Sequence, residues 1–270
     1  MPAYICMACG TEYPEADAPP DACRICEEER QYVPVTGQKW TTLNALSVTH
    51  RNSFHQYEPG LTGIGTEPKF GIGQRALLIQ TEHGNILWDC VAFIDDATVN
   101  LINGLGGLSA IAISHPHFYT TMGHWSQRFG DIPIYLHGDD RDWIIQPNDN
   151  IEFWHNETHQ ILPGATLIRC GGHFTGATVL HWSEGAQGAG VICSGDTLTV
   201  NMDHQSLSFM RSYPNFIPLN IQQIRFMESA LQDFEFERIY GHYFDRVIGS
   251  DAKTVLNKSF ERYISAIANT

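Results

Sequence analysis

Two histidines, His115 and His117, come directly after a short apolar run and have one proline between them. The run at residues 110–113 has the β-branched, apolar character of a buried strand, and Pro116 disfavours a helix that begins before it. Both imidazoles are therefore predicted on a loop at a strand end. In such a unit, a slight bend lets the two rings converge on one cation at roughly 2.0–2.1 Å, as zinc requires of histidine nitrogens. In isolation, such a pair is more often two hydrogen-bonded loop histidines.

Three more side chains that can bind a metal ion follow apolar runs further along the chain. His173 lies in the glycine-rich loop at residues 170–176, Asp196 ends a buried run, and His242 ends another. One coincidence of this kind would mean little. Four of them in this order outweigh the simpler interpretation of the first histidine pair and predict a metal site.

Four cysteines near the start of the chain form two C-x-x-C pairs, Cys6 with Cys9 and Cys23 with Cys26. Four thiolates in this order can close a tetrahedral zinc site. A unit of this length is too small for a hydrophobic core, so the metal would supply its folding energy. Disulfides are the alternative, and they are disfavoured because the start of the chain lacks the features of a signal peptide.

An iron site of the rubredoxin kind is a second alternative for these cysteines. Residues 4–10 resemble the first knuckle of rubredoxin, but no glycine follows Cys26 and the intervening loop is much shorter than in rubredoxin. We therefore predict a structural zinc ribbon over residues 1–36 and a main domain over residues 37–270. The acidic balance of the first module argues against a ribbon that reads nucleic acid.

The segments around the histidines predict alternating strands and helices. Apolar runs at residues 75–81 and 85–90 flank a compact turn and predict a β-hairpin. We predict a helix at residues 97–105, a strand at residues 132–137 and a loop in the glycine-rich stretch 57–73. This alternation is typical of an α/β layer protein.

The order of these motifs resembles the metallo-β-lactamase fold superfamily, which includes glyoxalase II, lactonases, persulfide dioxygenases and many hydrolases. The resemblance covers roughly residues 40–250. It implies an α/β (α+β) fold, a four-layer αββα sandwich preceded by the small zinc ribbon, with the metal site along one edge of the two facing sheets. Asp89, at the end of the second hairpin strand, matches the family's first, structural aspartate; from its position alone it could equally cap that strand.

The resemblance also implies a set of metal ligands. His115, His117 and His173 would hold a first ion, with Asp196 as a bridge or a fourth ligand. We therefore predict one firmly bound zinc or iron ion in the main domain.

The chain departs from the family at the ligands of a second ion. The family motif reads H-x-H-x-D-H, and here Tyr119 and Thr120 replace its last two ligands. A second ion would keep Asp196 and His242, too few for tight binding unless Tyr119 or His124 contributes. The alternative for His124 is an ordinary surface position.

Hydrolysis is the reaction that the resemblance and the ligand chemistry favour. A zinc or iron ion with an open position lowers the pKa of a bound water to about 7. Asp196 would orient that water, and Tyr119 would assist the oxyanion or the leaving group, unless it merely fills the place of the second ion. The superfamily places pocket-lining residues near 209–214, so Arg211 and Tyr213 are candidates for substrate binding, with a solvated surface position as the alternative for Arg211.

The predicted function is that of a metal-dependent hydrolase acting on an ester, thioester, lactone or similar small molecule. Two alternatives stay open. One is a mononuclear iron oxidoreductase of the persulfide dioxygenase type, because His115, His173 and Asp196 also form a set of two histidines and one carboxylate. The other is a non-catalytic scaffold with an eroded site.

The composition restricts the class of partner. The net charge of −14 disfavours nucleic acid, and the sequence contains no apolar run as long as a membrane helix. With no signal peptide recognised, we predict a cytoplasmic protein that binds a small-molecule substrate. The oligomeric state is left open, a dimer included.

Overall fold

The computed structural model describes residues 1–268, and its first elements form the cysteine module. They are β1 (Ala3–Cys6), β2 (Glu12–Glu15), α1 (Arg24–Glu27) and β3 (Trp40–Thr41). Strand β1 pairs antiparallel with β2 on one side and with β3 on the other. Because β3 lies beyond residue 36, the sheet of the module extends further than the predicted zinc ribbon. The division at residue 36 stays a prediction.

A first large sheet follows the cysteine module. Its elements and those that connect them are α2 (Leu43–Thr49), β4 (Arg51–Glu58), β5 (Leu61–Glu67), β6 (Arg75–Thr81), β7 (Gly84–Trp88), α3 (Asp96–Gly104), β8 (Ala110–Ala112), α4 (Met122–Arg128), β9 (Ile134–His137) and β10 (Ile151–Trp154). The strand order is β10-β9-β8-β7-β6-β5-β4, parallel from β7 to β10 and antiparallel from β4 to β7. The predicted hairpin β6–β7, helix α3 and strand β9 are confirmed.

The loop predicted at residues 57–73 was wrong, because most of this stretch belongs to β4 and β5. Two glycines inside β5, Gly63 and Gly65, make room for aromatic rings. A Cβ atom on Gly65 would lie 2.3 Å from a ring carbon of Phe244, and one on Gly63 would lie 2.8 Å from the ring of Tyr57. Glycine inside a strand often marks such a close approach.

A second large sheet is built from the rest of the chain. Its elements and their neighbours are β11 (Thr158–Leu162), β12 (Ala165–Arg169), β13 (Thr178–Trp182), α5 (Gly185–Gly188), β14 (Val191–Gly195), β15 (Thr199–Val200), β16 (Leu207–Ser208), β17 (Met210–Ser212), β18 (Ile217–Pro218), α6 (Ile221–Leu231), β19 (Arg238–Gly241), β20 (Val247–Ile248) and α7 (Ala252–Ala268). The strand order is β11-β12-β13-β14-β19-β20, and β14 runs parallel to β19.

The two large sheets pack face to face. One buried cluster joins Trp88 and Ala112 of the first sheet to Leu180 and Cys193 of the second. Helices α3 and α4 cover the outer face of the first sheet, and α6 and α7 cover the outer face of the second. The predicted four-layer αββα sandwich is thereby confirmed. None of the helices in the described part of the chain has the length and apolar character needed to cross a bilayer.

Candidate metal centre

The structure brings four of the predicted metal ligands together at the ends of β8, β12 and β14. His115 follows β8, and His117 lies in a short 3₁₀ turn at Pro116–Phe118. His173 comes from the loop after β12, and Asp196 directly follows β14. All four side chains are buried, and one ligand atom from each lies within 4.8 Å of the others.

Local hydrogen bonds fix the loop that carries the first two histidines. Nδ1 of His115 accepts a hydrogen bond from the backbone N–H of His117 at 3.3 Å, and Pro116 occupies the first position of the turn. Just before the loop, the backbone N–H and the hydroxyl of Ser114 both donate to Oδ1 of Asp89 at 2.8 Å. Asp89 therefore braces the ligand loop, and burial raises its pKa to about 7 although these hydrogen bonds oppose the rise.

A backbone carbonyl determines which nitrogen of His173 can bind a metal. Nδ1 of His173 lies 3.0 Å from the carbonyl oxygen of Met210, so this nitrogen carries the proton. Nε2 is left with its lone pair, 3.1 Å from Nδ1 of His117 and 3.9 Å from Oδ1 of Asp196. Two nitrogens that each lie roughly 2.0–2.1 Å from one tetrahedral ion are expected about 3.3–3.4 Å apart, which is close to the 3.1 Å between these two. The pair therefore has the geometry of two ligands of one ion.

Burial and mutual charge set the protonation of the group. Burial lowers the pKa of His117 well below its usual value and that of His173 to about 4, so both rings are neutral at pH 7. Burial alone would raise the pKa of Asp196, but His115 and His173 outweigh it and hold that pKa well below its usual range. The carboxylate also contacts Nε2 of His115 directly. Imidazole nitrogens with one carboxylate form a donor set that fits zinc or iron.

His242 lies beside this group but outside it. Its Nδ1 lies 3.3 Å from the carbonyl oxygen of Gly195, and burial lowers its pKa. Its strand β19 is held by Arg75, whose guanidinium donates to the carbonyl oxygen of Gly241 at 2.8 and 3.0 Å. His242 lines the cavity next to the four predicted ligands.

The two residues that replace ligands of a second ion face away from that cavity. Tyr119 packs in the hydrophobic core between the first sheet and its helices, where burial raises its pKa well above the usual value. It also borders a small cavity that Ile25 and Trp143 line. The carbonyl oxygen of Thr120 accepts a hydrogen bond from the backbone N–H of Glu12 at 3.2 Å. This placement favours the space-filling interpretation of Tyr119 over its predicted catalytic role.

The remaining predicted residues have separate environments. His124 contacts Glu12 of the cysteine module, with 2.8 Å between Nε2 and Oε1. Nε of Arg211 lies 3.0 Å from the carboxylate of Glu29, so this side chain holds the module and does not border the cavity. Tyr213 does line the cavity, and its hydroxyl donates to the carbonyl oxygen of Asp196 at 2.8 Å.

The four cysteine sulfurs converge in the same way as the histidines. Cys6 and Cys26 have their sulfurs 3.6 Å apart, and so do Cys9 and Cys23. These separations exceed the roughly 2.0 Å of a disulfide. They match the edge of about 3.8 Å expected for a tetrahedron of sulfurs around zinc at 2.3 Å. All four side chains are buried, and the cluster is consistent with a zinc ribbon.

A cavity of about 480 Å³ opens onto the histidines. Three cationic side chains in its wall escaped the sequence analysis: Arg30, Lys69 and Arg246. Arg30 belongs to the cysteine module, and no pattern in the sequence connects that module to the histidine motifs. The one feature of the sequence that could have pointed to Arg30 is that it is one of few basic residues in an acidic segment.

Solved metallo-beta-lactamase structures have this fold. The DIM-1 metallo-beta-lactamase is 14% identical, with a TM-score of 0.59 over 80% of this chain and 98% of that chain. The mono-zinc form of the FIM-1 metallo-beta-lactamase from Pseudomonas aeruginosa is also 14% identical, with a TM-score of 0.55 over 78% of this chain and 95% of that chain. At these identities the likeness concerns the fold alone. No protein-family model matches the chain.

The chain therefore has the metallo-β-lactamase fold, and it carries an additional four-cysteine module. Sequence comparison then narrows the assignment. The chain belongs to the same family as the uncharacterized protein YmaE of Bacillus subtilis (strain 168), to which it is 44% identical over 269 residues. The alignment covers 99% of this chain and 97% of YmaE.

Proposed function

We propose that the protein is a metal-dependent hydrolase that acts on an ester, thioester, lactone or similar small molecule. The observation that carries this proposal is the buried group of three histidines and one aspartate beside an open cavity. When bound, a zinc or iron ion supplies Lewis-acid polarisation of a substrate oxygen and makes hydroxide available near neutral pH. The volume of the cavity falls within the range of roughly 300–1,000 Å³ that is usual for small-molecule sites.

Asp196 and His242 are the residues of this chain that we assign to proton handling. Asp196 stays ionised because His115 and His173 hold its pKa well below the usual range, so its carboxylate can accept a hydrogen bond from the attacking water. Tyr213 fixes the backbone of Asp196 through its hydroxyl. Because Nδ1 of His242 faces a carbonyl oxygen, Nε2 remains as an acceptor in the cavity wall.

One ion in the main domain and a structural zinc in the cysteine module are the metals that we propose. His115, His117, His173 and Asp196 would hold the former. The positions of Tyr119 and Thr120 support a mononuclear site, since neither residue faces the cavity. An iron oxidoreductase stays the second candidate, because His115, His173 and Asp196 also suit iron.

Hydrolysis assays with the purified protein test the proposal. We expect turnover of at least one of three probes, a nitrophenyl ester, a thioester and a lactone, and loss of that turnover in His173→Ala with the circular dichroism spectrum unchanged. His83→Ala is the matched control, because His83 is exposed in the turn between β6 and β7. Oxygen uptake with a thiol persulfide, without hydrolysis of any probe, would contradict the hydrolase function and support the oxidoreductase function.

A further inference from the structure

Arg30 extends from the cysteine module into the wall of the cavity. Its guanidinium carbon lies 4.2 Å from the ring centroid of Phe174. The rings of His117 and His173 contact the same phenylalanine, at centroid distances of 4.9 and 5.2 Å. One aromatic ring therefore brings a cation of the module close to two of the proposed metal ligands.

The guanidinium of Arg30 is buried without full compensation. Its side chain is 12% exposed, and its Nη1 lies 3.5 Å from Oε1 of Glu28. Among residues 1–268, neither Nε nor Nη1 of Arg30 has a hydrogen-bond partner. A buried cation with unused donors is costly, and guanidinium donors have the fork geometry that fits a carboxylate or a phosphate.

The unused donors lie in a part of the molecule where positive charge collects. The chain has a net charge of −14, yet the cavity wall contains Arg30, Lys69 and Arg246. Among the described residues that line the cavity, Asp196 is the one with an acidic side chain. Arg246 is paired with Asp245 at 2.9 Å, and Lys69 is exposed to solvent. Arg30 is thus the cation in this wall that is both buried and short of partners.

We propose that Arg30 binds an anionic group of the substrate, a carboxylate or a phosphoryl group, next to the metal ligands. The proposal rests on the hydrolase function and specifies its substrate class as an anionic ester or lactone. It also gives the cysteine module a role in recognition, because the module places this specificity-determining residue in the wall of the site.

Direct binding tests Arg30 without reference to turnover. Calorimetric titration of the metal-loaded protein with inorganic phosphate and with acetate distinguishes the two kinds of anion. We expect one of the two to bind the wild type about 10- to 100-fold more tightly than it binds Arg30→Gln, as is usual for a charge-assisted hydrogen bond. Arg30→Lys, which keeps the charge but loses the fork, should lie between them. The absence of phosphate and acetate binding in the wild type would overturn the proposal.

Arg24→Gln provides the matched control for loss of a positive charge from the module. Arg24 is exposed and, among the described residues, does not line the cavity, although its guanidinium lies 5.1 Å from the ring of Trp143. It should bind the anions like the wild type. The zinc content of each variant shows whether the module has remained folded. Equal weakening in Arg24→Gln and Arg30→Gln would mean a general effect of charge and would refute the site.

A pair of nitrophenyl esters separates this proposal from the hydrolase function. One ester has a neutral acyl group, and the other has an acyl chain that ends in a carboxylate. Arg30→Gln should lower kcat/KM about 10- to 100-fold for the anionic ester and leave the neutral one within about threefold. Equal losses of kcat/KM for the two esters would reject Arg30 as a specificity residue but would leave the hydrolase function supported. If neither ester is hydrolysed, these assays count against the hydrolase, and the binding titration alone decides on Arg30.

Discussion

Oε1 of Glu12 lies 2.8 Å from Nε2 of His124, and this contact joins the cysteine module to helix α4 of the main domain. The carboxylate of Glu12 is buried, whereas the imidazole is about one-third exposed. Two residues before α4, the carbonyl oxygen of Thr120 accepts a hydrogen bond from the backbone of the same glutamate. The module is thus attached where the family motif would supply ligands to a second metal ion.

The contact between Glu12 and His124 predicts a dependence of stability on pH. The hydrogen bond that the imidazole donates to Glu12 raises the pKa of His124 above its ordinary value, although burial opposes the rise. The protonated imidazole therefore stabilises the folded chain fully below about pH 6.5, and this contribution is lost as the pH rises through the raised pKa.

The substitution His124→Gln isolates this contribution. The decrease in thermal stability caused by His124→Gln should be larger at about pH 5.5 than at about pH 8.5. At the higher pH the imidazole of the wild type has lost its positive charge as well. Thermal unfolding of both proteins at the two pH values measures the difference. His83→Gln, at an exposed position, is the control for the loss of a histidine elsewhere in the chain. A cost for His124→Gln that is the same at the two pH values would contradict the prediction.

Two separable metal sites are expected in the purified protein, one in each part of the chain. Elemental analysis should find metal in the wild type, and a Cys6→Ala/Cys9→Ala variant should lose the metal of the module. The proposed ion of the main domain should remain in that variant if the domain stays folded, which circular dichroism reports. A metal content unchanged by the substitutions would exclude the cysteine site, and a folded variant that contains no metal would exclude the histidine site.

Asp89 should support metal binding through one oxygen atom. Both hydrogen bonds from Ser114 go to Oδ1, and an asparagine could accept the same two bonds. We therefore expect Asp89→Asn to bind metal almost as the wild type does, whereas Asp89→Ala should bind it about 10- to 100-fold more weakly, as is usual for residues that orient metal ligands. Competition with a chelator gives both affinities. Equal losses in the two variants would show that the negative charge, rather than the acceptor, is what matters.

The double substitution Tyr119→Asp/Thr120→His restores the family motif in sequence. By sequence alone it should restore a second ion, because Asp196 and His242 are already present. Packing predicts the opposite: an aspartate would enter a hydrophobic core, and a histidine would meet the module at Gly10 and Glu12.

We expect the double variant to bind no additional metal and to lose on the order of 3 kcal/mol of stability. Calorimetric metal titration and urea unfolding provide the two measurements. Tyr119→Phe is the control: it keeps the ring in the core and should retain full activity if Tyr119 only fills space. A tightly bound second ion in the double variant would show that the loop can rearrange. Inactivity of Tyr119→Phe would show that the hydroxyl of Tyr119 takes part in the reaction.

Sequence reasoning selected the four predicted ligands that the structure brings together, because residues of this kind at strand ends keep their spacing to apolar runs. His173 and Asp196 could be named from such runs, although 22 intervening residues separate them in the sequence. Sequence reasoning could not predict the direction in which a side chain on a loop points. Arg211 and Tyr213 are two residues apart, yet the first pairs with Glu29 and the second lines the cavity.

Contacts between parts of the chain that are distant in sequence were the least predictable. Gly65 looked like a loop residue because nothing near it in the sequence indicates the ring of Phe244. Arg30 looked like an ordinary charge of a small acidic module for the same reason. In both cases, the deciding partner lies more than 80 residues away along the chain.

The packing of the cysteine module also determines how a chain without that module would behave. Ile5 is fully buried against Phe70, Ala92 and Phe93, and Trp143 packs against the cysteine cluster. Removal of the module would expose this apolar surface to water and open one side of the cavity, because Arg30 and its neighbours form part of the wall. A truncated main domain would therefore be an aggregation-prone protein with a different pocket, rather than a smaller version of the same one.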